Sequence, residues 1–256
     1  MKIVIPSYRR QNILKEKTLK LLENHNIPKS CIDIIVESKD AKKEYRKVIG
    51  KEYKIIISDT KGICEKRNFI RYYYRHETKE NKILCIDDDI IDIQSLYNGV
   101  DIKELFVRGF EFAKKCGACI WGINHLHNHH FMKKQKPIVT RLNYIQGGFC
   151  GIYIDRTKEP IYADIDHYED FQFSCEHYLR DGAILKLNHY YIITDYTEET
   201  GGIAESLGGK KNRIINAKEN LKYMMLNYAP MVKIKNSPIY GEDLLINAYY
   251  RLPVNV

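Results

Sequence analysis

Three consecutive carboxylates, Asp87 to Asp89, follow a short apolar run that ends at Ile86. Clustered carboxylates repel one another unless a cation neutralises them. Their oxygen atoms suit Mg²⁺ or Mn²⁺, ions that commonly bridge one or two carboxylates to substrate phosphates. Such an ion would stabilise the charge that a departing diphosphate gains. The alternative interpretation is a solvated acidic turn, or a helix start whose dipole favours acidic side chains.

Two further segments carry side chains that can bind nucleotides. One lies at a predicted strand end, and the other lies at a predicted helix start. An apolar run ends at Pro6 and continues with Ser7, Tyr8 and Arg9. Tyr can stack on a base and Arg can bind phosphate, although an ordinary loop between a strand and a helix has the same composition. The second segment begins at Gly62, which frees the backbone before a helical pattern.

Arg67 and Asn68 lie in the first turns of that pattern, where donors can face an anion. A basic surface helix is the competing interpretation. Glu169 and Asp170 open another helical pattern. Acidic pairs are common at helix starts because they compensate the dipole, but a carboxylate there can also act as a general base toward an acceptor hydroxyl.

Alternating apolar runs and helical patterns predict the elements that position these residues. The predicted strands of the first half are Lys2–Ile5, Ile32–Val36, Tyr53–Ile57 and Ile83–Ile86, and its helices include Thr18–Glu23 and Glu65–Tyr74. This order predicts an α/β fold with a mostly parallel, doubly wound sheet flanked by helices. Ligands of such sheets bind beyond the carboxyl ends of the strands.

The second half is less regular. The predicted strands are Ala118–Ile123, one within the segment Tyr144–Ile154, Ile184–Asn188, Tyr190–Thr194 and Met231–Ile234. The predicted helices are Ile102–Lys115, Asp170–Arg180 and Ala217–Asn227. Two polar segments, Asn124–Lys136 and Glu198–Asn212, are predicted to be loops. We expect a single domain over residues 1–256. Residues 1–100 would bind the nucleotide, and residues 101–256 would form a smaller acceptor-binding subregion.

Composition restricts the class of protein. The 256 residues carry a net charge of +8, which favours an anionic partner such as nucleic acid, although a Lys-rich surface in a biased composition fits equally well. The chain opens directly on a short apolar run and contains seven scattered cysteines. We therefore expect a reduced cytoplasmic protein with free thiols and no membrane segment, in which Cys116 and Cys119 are structural.

In this order the motifs resemble those of GT-A glycosyltransferases. Over roughly residues 1 to 215 the chain looks like the TET-associated glycosyltransferase family, which is related to the sugar-transferring enzymes of base J synthesis. The resemblance implies a GT-A fold and a metal-dependent transfer of sugar from a nucleoside-diphosphate donor, UDP-linked, to hydroxymethylated pyrimidines in DNA. It also implies a phage or other viral setting, and therefore the host cytoplasm.

The resemblance carries over residue by residue. It implies that donor and nucleotide are contacted by Pro6, Ser7, Tyr8, Arg9, Glu37, Gly62, Arg67, Asn68, Asp87, Asp88, Gly147 and Gly148. It implies metal ligation by Asp87 and Asp89, with Asp87 nearer the ribose, and catalysis by Asp170 as base with Glu169 holding an acceptor hydroxyl. Further candidates are Gly201, Gly202 and Arg213 over the diphosphate, and His189 as a third metal ligand or a structural histidine.

Three other functions remain open. A glycosyltransferase acting on a glycan, polysaccharide or protein would share the donor half. DNA is favoured by the charge and by the basic residues Lys133, Lys134, Lys136, Lys210, Lys211 and Arg213, and a base modified in a duplex is commonly extruded. A nucleotidyltransferase is disfavoured because no glycine-rich basic loop follows the first strand. A non-catalytic nucleic-acid-binding module is disfavoured by the intact carboxylates.

Overall fold

The first half of the chain alternates strands and helices. Its strands are β1 (Lys2–Pro6), β2 (Ile32–Val36), β3 (Lys54–Ile57), β4 (Lys82–Ile86) and β5 (Ile90–Ser95). Its helices are α1 (Gln11–Leu14), α2 (Lys20–Asn24), α3 (Lys39–Ile49) and α4 (Gly62–His76). A π-helical turn at Lys15–Leu19 joins α1 to α2, and a 3-10 turn at Lys29–Cys31 precedes β2.

The second half adds helices and strands of both directions. Its helices are α5 (Ile102–Lys115), α6 (His129–Lys134), α7 (Glu169–Asp181) and α8 (Lys210–Tyr228). Its strands are β6 (Ile120–Asn124), β7 (Ile138–Val139), β8 (Phe149–Tyr153), β9 (Leu185–Thr194), β10 (Val232–Ser237) and β11 (Gly241–Ile246). This computed structural model describes residues 1–97, 99–125, 127–194, 210–238 and 241–253, without the side chains of residues 210, 211 and 213.

Within the described residues, nine strands form one sheet. Its order is β3-β2-β1-β4-β8-β6-β9-β5, and β7 pairs beside β9. The pairs from β3 to β4 are parallel, as is β6 with β9. The strand β8 runs antiparallel between β4 and β6, and β5 pairs antiparallel with β9. The α/β class and the parallel pairing of β1 to β4 are confirmed, whereas the far half of the sheet is mixed; β10 and β11 form a separate hairpin.

The carboxyl ends of β1, β2 and β4 meet at one edge, which we call the carboxyl edge of the sheet. Ser7, Glu37 and Asp87 each follow one of these parallel strands. Because β8 is antiparallel, it begins where β4 ends. The Asp87 amide donates to the Gly148 carbonyl at 3.0 Å, which brings the glycine pair to the same edge.

Helix packing on both faces follows from the apolar pattern. Successive β1 side chains point to opposite faces, so Ile3 and Ile5 join one core and Val4 the other. Helix α5 packs against the first core, and Gly109 lets it approach, since a Cβ there would lie 2.5 Å from the Trp121 ring. No helix among the described residues is long and apolar enough to cross a membrane.

Several sequence predictions of local structure are corrected. The predicted loop at 124–136 contains α6, a short polar helix that lacks an apolar period and is capped by the Asn128 side chain. The two strands predicted around residue 189 are one continuous strand, β9. Strands β5, β7 and β11 were not predicted. Residues 198–209 of the second predicted loop lie outside the described residues, and residues 210–212 belong to α8.

Candidate functional site

The three aspartates occupy a tight turn between β4 and β5. Thr18 holds this turn from the helical side: its hydroxyl donates to the Asp87 carbonyl at 2.8 Å and accepts from the Ile90 amide at 2.9 Å. Asp88 is buried, whereas Asp87 and Asp89 have side chains that are 35% and 21% exposed. The two outer carboxylates of the turn are therefore accessible to solvent, whereas the middle one is buried.

Asp88 fastens the turn to the loop after β1. It accepts a hydrogen bond from the Ser7 hydroxyl, which also bonds the Tyr45 hydroxyl at 2.6 Å. Arg10 Nη1 lies 3.5 Å from Asp88 Oδ1 and 3.3 Å from Asp89 Oδ2. Burial raises the pKa of Asp88 to about 7. Burial, reinforced by the charge of Asp87, raises the pKa of Asp89 to about 6.

Asp87 and Asp89 have the donor chemistry for a hard divalent cation. Both offer carboxylate oxygens on an open side of the turn, and their mutual repulsion is visible in the raised pKa of Asp89. Within the described part of the chain, no three His, Cys, Asp or Glu side chains converge as a metal site. Asp87 and Asp89 are thus the candidate ligands among the described residues, and ions of this kind commonly bind through substrate phosphates as well.

Arg67 links the aspartate turn to helix α7. It is buried, and its guanidinium donates to Asp87 Oδ1 at 3.1 Å and to Glu169 Oε1. Glu169 is only 3% exposed and also lies 3.7 Å from Arg71 Nη2. Both oxygens of Glu169 lie near buried guanidinium groups, and its predicted role at an acceptor hydroxyl stays a prediction.

Asp170, the next residue, has different hydrogen-bond partners from Glu169. Its Oδ2 accepts from the Tyr144 hydroxyl at 2.5 Å and from the Gly147 amide at 3.3 Å, and its Oδ1 accepts from the Phe171 amide at 3.0 Å. Burial raises the pKa of Asp170 to about 6; the charge of Glu169 adds to this rise, and the Tyr144 hydrogen bond opposes it. A carboxylate poised near neutrality suits a general base.

The glycine pair allows these groups to come together. A Cβ on Gly147 would lie 1.9 Å from Arg67 Nη1, and a Cβ on Gly148 would lie 2.7 Å from Asp87 Oδ2. Real Cβ contacts are never this short, so any larger residue would displace the guanidinium or the carboxylate. The structure therefore brings Arg67, Asp87 and both glycines together.

The loops after β1 and β2 contribute less direct contacts. Pro6 ends β1 inside the core, and Tyr8 is half-buried with the Lys66 ammonium 5.5 Å from its ring centre. Lys66 is buried, donates to the Ser7 carbonyl at 3.0 Å and lies 3.9 Å from Glu37 Oε2. Arg9 is exposed with a left-handed backbone. These residues line the carboxyl edge beside the aspartate turn.

The start of α4 is organised differently from the expectation. Asp166 lies against Gly62, where a Cβ would come 2.9 Å from its Oδ1, and its carboxylate accepts from the Cys64 backbone. An acidic side chain of the protein thus faces the helix start where an anion was expected. Asn68 clamps the backbone of Ala163 with bonds of 2.7 and 3.0 Å, so its amide serves the structure.

His189 is not a metal ligand. Its backbone pairs with Leu96, just beyond the end of β5, whereas Asp89 precedes the start of that strand. At about 3.3 Å per residue the strand separates them by roughly 20 Å. The ring instead bonds the Gln135 carbonyl at 3.2 Å and packs against Tyr97.

Other predicted residues fall into two groups. Lys133, Lys134 and Lys136 are exposed on and just after α6, which follows the end of β6. Gly201, Gly202 and the side chains of Lys210, Lys211 and Arg213 lie outside the described residues. All seven cysteines are free, and Cys119 is buried, as expected of structural thiols.

Sequence reasoning missed several residues of the site: Arg10, Thr18, Lys66, Arg71 and Tyr144. Arg10 adjoins a predicted motif and was within reach of the sequence argument. Tyr144 stands just before the glycine pair, but nothing in its local pattern indicates a bond to a residue 26 positions later. Thr18 and Arg71 lie within helical patterns that look structural.

The fold is similar to that of known sugar-transferring enzymes. The mannosyltransferase PcManGT from Pyrobaculum calidifontis, solved with GDP-Man and Mn²⁺, is 7% identical, with a TM-score of 0.54 over 86% of this chain and 64% of that one. Glucosyl-3-phosphoglycerate synthase from Mycobacterium tuberculosis, solved with Mn²⁺ and UDP-glucose, is 13% identical, with a TM-score of 0.52 over 96% of this chain and 86% of that one.

A third similar structure is S. aureus TarS 1-349, at 18% identity and a TM-score of 0.48 over 89% of this chain and 73% of that one. No protein-family model matches the chain, and no curated protein matches it either. The chain spans just under two thirds of the mannosyltransferase, 64% of its length. The chain therefore has the GT-A α/β fold that its motifs predicted, whereas membership of the DNA-modifying family stays a prediction.

Proposed function

We propose that the protein is a metal-dependent glycosyltransferase that moves a sugar from a nucleoside diphosphate to an acceptor hydroxyl. One observation carries the proposal: the aspartate turn, the glycine pair and Asp170 meet at the carboxyl edge of a GT-A sheet. Arg67 joins the aspartate turn to Glu169, the residue next to Asp170. Similar structures were solved with Mn²⁺ and UDP-glucose or GDP-Man, which supports a donor of the same class.

In this proposal Asp87 and Asp89 hold Mn²⁺ or Mg²⁺ together with the donor diphosphate. Their oxygen donors and partial exposure fit the ion, and the absence of a third converging ligand among the described residues leaves room for phosphate oxygens. Once bound, the ion would stabilise the charge of the departing diphosphate. Arg10, already 3.3 Å from Asp89, adds positive charge on the same side.

Asp170 would take the proton of the acceptor hydroxyl as that oxygen attacks the anomeric carbon. The bond between sugar and diphosphate breaks in this step, and its electron pair leaves with the diphosphate. The raised pKa of Asp170, about 6, lets it accept the proton without releasing it too readily. Tyr8, Arg9 and Glu37, along the same edge, are proposed to contact the nucleotide.

For the acceptor, a hydroxymethylated pyrimidine in DNA stays the finer proposal. No Asp or Glu occurs from Phe112 to Ile154, a stretch that includes Gly147, Gly148 and the exposed lysines after β6. An acid-free stretch that reaches Asp170 at Gly147 and carries exposed lysines would favour a phosphate backbone. A glycan, polysaccharide or protein acceptor is the alternative, since the donor side would be the same.

The testing experiment separates donor use from acceptor choice. Nucleotide-sugars are offered with and without Mn²⁺, first alone and then with hydroxymethylated DNA, unmodified DNA, oligosaccharides or peptides. Metal-dependent donor hydrolysis is expected, with sugar-linked nucleosides from hydroxymethylated DNA only, as read by mass spectrometry. No turnover of any donor would overturn the transferase proposal, whereas transfer to a glycan alone would remove only the DNA acceptor.

A further inference from the structure

We propose that Tyr144 is a positioning residue that fixes the carboxylate of Asp170 so that Oδ1 is the oxygen that takes the proton. This inference rests on the proposed role of Asp170 as the base. Tyr144 lies in the loop before β8, three residues ahead of Gly147. Nothing in the motifs of the sequence assigned a role to it.

The hydrogen bonds distinguish the two carboxylate oxygens. Each oxygen of an ionised carboxylate accepts about two hydrogen bonds. Oδ2 receives both of its bonds from the protein, from the Tyr144 hydroxyl at 2.5 Å and from the Gly147 amide at 3.3 Å. Oδ1 receives a bond from the Phe171 amide at 3.0 Å and keeps one lone pair. An acceptor hydroxyl therefore finds its free acceptor site on Oδ1.

Tyr144 is itself held on three sides. Its ring stacks on Phe171 with the ring centres 4.3 Å apart, and the edge of the His125 ring meets it at 5.4 Å. Its carbonyl accepts a bond from the buried Lys186 ammonium at 3.0 Å. The next amide, of Ile145, donates to the Ser174 hydroxyl at 3.1 Å. A side chain fixed in this way can orient the group that it touches.

The charged groups around Asp170 come from three elements. Glu169 on α7 raises the pKa of Asp170, while Arg67 on α4 and the hydroxyl of Tyr144 lower it. Lys186 on β9 holds Tyr144 rather than Asp170. Removing the hydroxyl alone should therefore raise the pKa of Asp170, because its charged form loses a donor while the other groups stay in place.

The test uses Tyr144→Phe, which keeps the ring and its stacking. We expect kcat at pH 7 to fall roughly 2- to 10-fold with KM for the donor unchanged, because a pKa raised from about 6 by about 1–2 units leaves between about a half and a tenth of Asp170 ionised. The acid limb of the pH–kcat profile should move upward by about 1–2 pH units. In the Asp170→Asn background the same change should cost nothing further, because Tyr144 acts through Asp170.

A matched control is Tyr74→Phe. The Tyr74 hydroxyl also donates to a buried aspartate, Asp33 Oδ2, at 2.6 Å, but Asp33 lies near the opposite end of β2. Both variants lose a Tyr–Asp bond and some stability, yet only Tyr144→Phe should shift the pH profile. A shift in both variants, or in neither, would overturn the proposal.

A second readout does not depend on turnover. The carboxyl carbon of Asp170, labelled with ¹³C and assigned by comparison with Asp170→Asn, is titrated by NMR in the wild type and in Tyr144→Phe. The titration midpoint should rise in the variant. An unchanged midpoint would refute the role of Tyr144, whether or not the protein transfers sugar. A raised midpoint in a protein without transferase activity would support the contact between Tyr144 and Asp170 and refute the proposed function.

Discussion

Replacing Asp170 by Asn should stabilise the protein while removing its activity. The Asn side chain is neutral like the protonated acid, and its oxygen can still accept from the Tyr144 hydroxyl and the Gly147 amide, while its NH2 group replaces Oδ1 and loses the bond from the Phe171 amide. Burial raises the pKa of Asp170 from 3.8 to about 6. Carrying the charge at neutral pH therefore costs about 3 kcal/mol relative to the unfolded chain.

The size of this effect depends on pH. Below about pH 4 the carboxyl is protonated in both folded and unfolded chains, so wild type and variant should be equally stable. As pH rises through about 6 the folded wild type must release the proton and loses stability, whereas the variant does not. We expect the variant to be about 2–3 kcal/mol more stable at pH 7–8, by urea unfolding at a series of pH values.

Activity should change in the opposite direction. Loss of a general base lowers turnover by about 10²–10⁴-fold, while calorimetry should find donor affinity unchanged. Wild-type kcat should rise as pH rises through about 6. The control is Asp40→Asn, because the Lys43 hydrogen bond lowers the pKa of Asp40 and neutralising it should not stabilise the fold. A stability advantage of Asp170→Asn over the wild type that is no larger at pH 7 than at pH 4, or a loss of donor binding, would refute the reasoning.

Three further substitutions test the rest of the site. Asp89→Ala should abolish metal-dependent turnover while the fold persists, because Asp89 lies after a strand rather than in the core; a chelator should have the same effect on the wild type. Glu169→Gln should destabilise the protein by about 3–5 kcal/mol in urea, because it leaves buried Arg71 without its carboxylate partner and leaves Arg67 with Asp87 alone. Gly147→Ala should cost about 1–3 kcal/mol, also measured in urea, because its Cβ would collide with the Arg67 guanidinium.

Each of these changes has a control within the chain. Asp92→Ala removes a half-buried carboxylate on β5 and should retain the metal response. Glu104→Gln breaks a surface pair with Arg108 and should change stability by no more than about 1 kcal/mol. Gly99→Ala places a Cβ where nothing lies within 4 Å. Activity of Asp89→Ala in a chelator would contradict the metal prediction. Equal urea midpoints for Glu169→Gln and Glu104→Gln, or for Gly147→Ala and Gly99→Ala, would contradict the stability predictions.

Much of the fold was predictable because strands and helices alternate with distinct apolar periods. The runs that became β1, β2 and β4 are short, apolar and followed by polar residues, and α5 has buried side chains at helical spacing. Helix α6 was missed because His129 to Lys134 has only one buried side chain, Met132. Its helix depends on a cap and on tertiary contacts that no periodicity reveals.

The candidate site was predictable only as far as strand ends reveal it. Asp87 to Asp89 were found because they follow a predicted strand, whereas the glycine pair was assigned through the resemblance to GT-A enzymes. The partners of Asp170 were not found, since Tyr144 and Gly147 reach it across a fold that local patterns do not encode. The two interpretations of His189 could not be separated for the same reason: a histidine near a strand carries no information about which end of the neighbouring strand it meets.

The adjacent carboxylates Glu169 and Asp170 divide two tasks that the sequence could not separate. Glu169 faces the guanidinium groups of Arg67 and Arg71, so its charge is compensated inside the protein. Asp170 has only neutral donors in direct contact, and burial raises its pKa to about 6. When two neighbouring acids have such different surroundings, the one with the raised pKa is commonly the one that exchanges protons. Because Arg67 also binds Asp87, the fixed charge of Glu169 ties the start of α7 to the donor side of the site. In the proposed reaction, the ion pair of Arg67 and Glu169 would hold Asp170 in place relative to the donor without taking part in the chemistry.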